Sequence, residues 1–67
     1  MQTIRIDQTR RNQLCRTIMS GTTDAAKEAQ TALAFLYLGV NYRTLANILA
    51  ECTLASARIH ARSVMEA

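Results

Sequence analysis

One histidine, two cysteines and two tyrosines are the residues of this 67-residue chain that suggest covalent, proton-transfer or metal chemistry. A catalytic cysteine needs a base beside it, and a zinc site needs several ligands at short, repeated spacing. Cys15 and Cys52 lie far apart in the sequence, and His60 is flanked by Arg58, Ala61 and Arg62 instead of by further ligands. Serines and threonines are numerous, but none has a positioned base. No carboxylate pair, nucleophile-base pair or phosphate-cradling loop can be assembled, so the chain reads as a non-enzyme without metal, cofactor or small-molecule ligand. The cysteines then read as small apolar side chains, reduced in a cytoplasmic setting. His60 reads as a solvated side chain near a helix end, and Tyr37 and Tyr42 as core or interface residues.

Arginine is the other chemically informative residue. Residues 1 to 20 carry Arg5, Arg10, Arg11 and Arg16 against Asp7, so the net charge of +3 is concentrated at the N-terminus. Clustered arginines suit phosphates or an acidic protein face.

The elements that position these side chains follow from apolar spacing. Gln2 to Ile6 alternates polar and apolar, which predicts a strand over 2–6 with Thr3 and Arg5 on one side and Ile4 and Ile6 on the other. After Asp7 the period changes: Leu14, Cys15, Ile18 and Met19 share a helical face, and Gly21 stops a helix over 8–20. Thr22, Thr23 and Asp24 offer caps for a second helix over 24–38, whose end, with Phe35, Tyr37 and Leu38, is apolar nearly all round and is expected to be buried on several sides. Gly39 and Asn41 suggest a tight turn into a third helix over 42–65, in which no Gly or Pro intervenes. Leu45, Ile48, Cys52, Ala55 and Ile59 form a seam along it. Ala46, Ala50, Leu54, Ala57 and Ala61 form a second face of mostly small residues.

The fold class expected is therefore mainly α: one domain with a short N-terminal strand and three helices, the third long. With 67 residues and no disulfide or metal framework, oligomerisation is the remaining source of stability, so a homodimer is expected, through paired strands, helix three or both. Ala32 to Val40, the longest uncharged apolar stretch, is about half a membrane span, and the first twenty residues hold no apolar signal core. No membrane partner is expected.

Thr3-Ile4-Arg5-Ile6-Asp7, then Gly21 and Thr23-Asp24-Ala25-Ala26-Lys27-Glu28-Ala29, resemble the strand and second-helix entry of the ribbon-helix-helix family of DNA-binding regulators. The resemblance covers residues 2–38. It implies a small dimeric transcriptional regulator of phage or plasmid type that lays a β-ribbon in the major groove. Gln2, Thr3 and Arg5 would read bases, and Arg10, Arg11, Arg16 and the amides at Thr22 and Thr23 would hold phosphates. The long third helix departs from that pattern. An alternative of a different class is a small helical adaptor or inhibitor that binds a larger host protein. Its anchors would come from Tyr37, Tyr42, Leu45, Ile48, Cys52, Leu54 and Ile59, with Ile4 and Ile6 packing beneath.

Overall fold

A computed structural model describes residues 7–38 and 43–66, and these form four helices: α1 (Gln8–Ser20), α2 (Thr23–Leu38), α3 (Arg43–Glu51) and α4 (Leu54–Glu66). Each of three helix starts is fixed by a side-chain oxygen that accepts an otherwise orphaned amide. Asp7 accepts from the Arg10 amide at 3.2 Å, Thr22 from that of Ala25 at 3.3 Å and Thr53 from that of Ser56 at 3.2 Å.

Two sequence expectations are corrected by this architecture. The described residues form an all-helical bundle of four helices; the expected strand at 2–6 lies outside them, and no strand occurs among them. The mainly α class with an N-terminal strand, and the strand-paired dimer that went with it, therefore give way to a helical bundle. The expected helix over 42–65 is also two helices, broken at Cys52 and Thr53. Neither Cys nor Thr is a strong helix former, and Thr53 serves the chain better as the cap of α4. The break also needs somewhere for the last carbonyls of α3 to go. Gln30 of α2, itself 7% exposed, donates from Nε2 to Leu49 O at 2.7 Å and to Cys52 O at 2.9 Å.

With the break made, α4 turns back onto α1, while α3 lies along α2, and α1 and α2 pack on each other. The core takes Leu14, Cys15 and Ile18 from α1, Leu33 and Tyr37 from α2, Leu49 from α3, and alanines from α2, α3 and α4. Ala46, Ala57 and Ala61 of the expected small-residue face are all buried, so that face is used within the chain. Ala50, between them in sequence, is exposed.

The far end of α1 is closed in the same manner as that of α3. Gly21 N–H donates to Thr17 O at 2.8 Å, and Arg58 of α4 donates from Nε to Ile18 O at 3.0 Å and from Nη2 to Gly21 O at 3.3 Å. A cation at a helix C-terminus also meets the negative end of the helix dipole. Gly21 is required by closeness and not by a left-handed backbone: at φ −79° any residue is comfortable, but a Cβ there would come to 2.5 Å from Thr17 O.

Cys15 is fully buried, and burial pushes its thiol pKa up, partly opposed by Arg11. It is a core side chain and not a nucleophile. Cys52 is half-buried and free. A disulfide-exchange reagent at neutral pH should therefore modify Cys52 first. Cys15 should follow roughly 100-fold more slowly, since an opening free energy of about 3 kcal/mol corresponds to that factor. Equal rates in the native protein would show that α1 does not pack as described.

Candidate functional site

The residues expected to meet DNA fall partly within the described residues and partly outside them. Gln2, Thr3 and Arg5 lie outside the described residues. Arg10 and Arg16 are exposed on α1, whereas Arg11 is half-buried and donates from Nε and Nη2 to Asn12 Oδ1 at 3.3 and 3.1 Å. Thr22 has its hydroxyl engaged as the α2 cap, and Thr23, the first residue of α2, is exposed.

The expected interface residues divide in a similar way. Ile4, Ile6 and Tyr42 lie outside the described residues. Tyr37 is buried in the core; Leu45, Cys52 and Leu54 are half-buried and pack against it. Among the described members of this set, Ile48 and Ile59 are open, at 60% and 72% exposure. The seam expected along a single helix is thus split by the break at Cys52 and Thr53, which leaves Ile48 on α3 and Ile59 on α4. The end of α2 is not buried all round either: Phe35 is 67% exposed and Leu38 39%. Among the described residues three helices contact α2, and Asp24, Glu28, Thr31 and Phe35 on its outward face are exposed.

A groove of about 350 Å³ opens where α4 crosses the end of α1, lined by Met19, Arg58, Ile59 and Arg62. Met19 and Ile59 supply apolar walls, and the arginines, one helical turn apart, supply positive charge. Among the described residues neither arginine has a carboxylate partner. Arg58 is held rigidly by its bonds to α1, so its charge sits at the groove without a further ordering cost. The surface runs on along α4 past Ser63 to Glu66. Chemically this arrangement can hold an apolar or aromatic group beside negative charge. Among the described residues no three His, Cys, Asp or Glu side chains are placed to hold a metal ion.

The groove is not legible in the sequence, because Met19, Arg58 and Arg62 belong to two helices that meet only if the long third helix breaks. Phe35 is visible there, but an aromatic in an apolar run reads as core. Comparison with known families, with curated proteins and with solved structures finds no match for the chain. The class that the fold defines is thus a small helical bundle in which no helix of the described residues is long and apolar enough to cross a membrane.

His60 also departs from its expected solvated role. Its Nε2 is buried without a hydrogen-bond partner among the described residues, and burial lowers its pKa. The folded chain therefore prefers neutral imidazole. The unfolded chain binds the proton more readily, so the stability that neutral His60 permits is present above its unfolded pKa, about 6.5, and is lost as pH falls below it. Lowering the pH from about 7.5 to about 5.5, a range above most carboxylate titrations, should lower the melting temperature, and His60→Gln should flatten that slope. An unchanged slope in His60→Gln would assign the pH dependence to another group.

Proposed function

We propose that this chain is a small helical protein-binding module, of adaptor or inhibitor type, that docks exposed apolar side chains onto a larger protein. One observation carries this reading: alanines fill much of the core while three large apolar side chains are left outside it. Ala26, Ala29, Ala34, Ala46, Ala57 and Ala61 are buried, while its only phenylalanine, Phe35, and the isoleucines Ile48 and Ile59 stand in solvent. Single exposed apolar side chains are ordinary on any surface. Their cost here is unusual, because a buried Ile or Phe contributes about 1.5–3 kcal/mol and a chain of this length has little stability to spare. Side chains of that size left outside the core are anchors suited to a partner's pockets.

The DNA-binding reading has weaker support. Arg10 and Arg16 are free on α1, but phosphate contacts position a protein without reading sequence. The two readings separate in one experiment. A photo-crosslinking amino acid at Ile48 should capture one discrete larger protein in cells, and Ile48→Asp should weaken binding to that purified protein roughly 30-fold or more, the scale of an interface hot spot. No discrete adduct, together with duplex-DNA binding that falls linearly in log affinity against log salt, would replace the protein-binding reading with the DNA one.

A further inference from the structure

We infer that Phe35 of one copy seats in the Met19–Ile59 groove of another, making a head-to-tail contact between two different faces of the same chain. This rests on the reading of the exposed apolar side chains as contact surfaces, and it names one partner as the chain itself.

The two surfaces match in size. An apolar cavity of about 150 Å³ accepts benzene, and the groove offers about 350 Å³ between Met19 and Ile59. Phe35 projects from the outward face of α2 at 67% exposure, so it can enter without unfolding its own helix. They also match in charge. The outward face of α2 carries Asp24 and Glu28 toward its start, and the groove carries Arg58 and Arg62 with no carboxylate partner among the described residues. Lys27, the cation nearest those acids in sequence, lines the separate groove between α2 and α3 with Ala50 and Thr53. A guanidinium at the groove can also lie over the face of the inserted ring. The N-terminal segment of the chain is a poorer occupant, since before Asp7 its one charged side chain is Arg5, which the groove arginines would repel.

A ring on α2 and a groove on α1 and α4 are different surfaces, so two copies can join by one such contact or by a reciprocal pair of them. After one contact each copy keeps a free ring or a free groove, which a reciprocal pair, a closed circle or a growing chain can fill. This predicts a pattern of complementation that no self-matching interface gives. Phe35→Asp removes the ring and keeps the groove; Ile59→Asp blocks the groove and keeps the ring. Both positions are largely exposed, so both variants should fold, as circular dichroism would check.

In sedimentation, the native protein should associate with rising concentration, and each variant alone should stay monomeric. An equal mixture of the two variants should form a heterodimer and nothing larger. Arg62→Ala should weaken the native association by about 2- to 5-fold, the scale of an exposed cation–π contact. A native protein that stays monomeric, or a mixture of folded variants that stays monomeric, would overturn the inference. Capture of a larger protein through Ile48 reads a different helix, so its success alongside failed complementation removes the self-contact alone. Its failure alongside successful complementation leaves the self-contact standing and removes the larger partner.

Discussion

The fold depends on one uncharged side chain. Gln30 reaches from α2 to the end of α3 and gives its amide hydrogens to the carbonyls of Leu49 and Cys52. Every α-helix ends with carbonyls that have no partner within the helix, and burying them unpaired costs about 1–3 kcal/mol each. Where such carbonyls are satisfied from outside, the helix can stop inside the protein. Here that lets α3 end and α4 leave in a new direction. Without an external donor, the cheapest way to satisfy the carbonyls at Leu49 and beyond is to continue the helix into Thr53 and Leu54.

The break produces a division of labour between small and large residues. Once α4 returns to α1, Ala57 and Ala61 let the helices approach closely, and Arg58 is brought to the carbonyls at the end of α1. The bundle is therefore closed at two helix ends by side chains from other helices, one an amide and one a guanidinium. The same turn carries Ile59 and Arg62 to the surface beside Met19 and so creates the groove. Structure and candidate site have a common origin: the groove exists because α4 is folded back, and α4 folds back because α3 can end.

Much of this fold is legible in the sequence, and the part that is not has a physical reason. α1 is readable from the spacing of Leu14, Cys15 and Ile18, and its Gly21 stop occurs as the pattern suggests, while the Asp7 cap is added by the structure. The start of α2 is readable from Thr22 to Asp24. The break is not, because Gln30 in a helix looks like any solvent-facing polar residue, and its two acceptors lie 19 and 22 positions away. Thr53 with Ser56 three residues on is a local signal, but a cap in the middle of an unbroken apolar pattern is easily taken for an ordinary helical threonine. Phe35 misleads by a different route: an apolar helix end implies burial only if neighbours exist on every side, and no described helix packs on the side of Asp24, Glu28 and Phe35.

The most direct test of the Gln30-dependent break is an NMR study of the native chain that follows the Gln30 side-chain amide together with the backbone from Leu45 to Met65. Slow exchange of the Gln30 amide protons is expected, with nuclear Overhauser contacts from them to Leu49 and Cys52, and an interruption of the helical i to i+4 contacts at Cys52 and Thr53. A rapidly exchanging Gln30 amide with helical contacts running unbroken through Thr53 would contradict it.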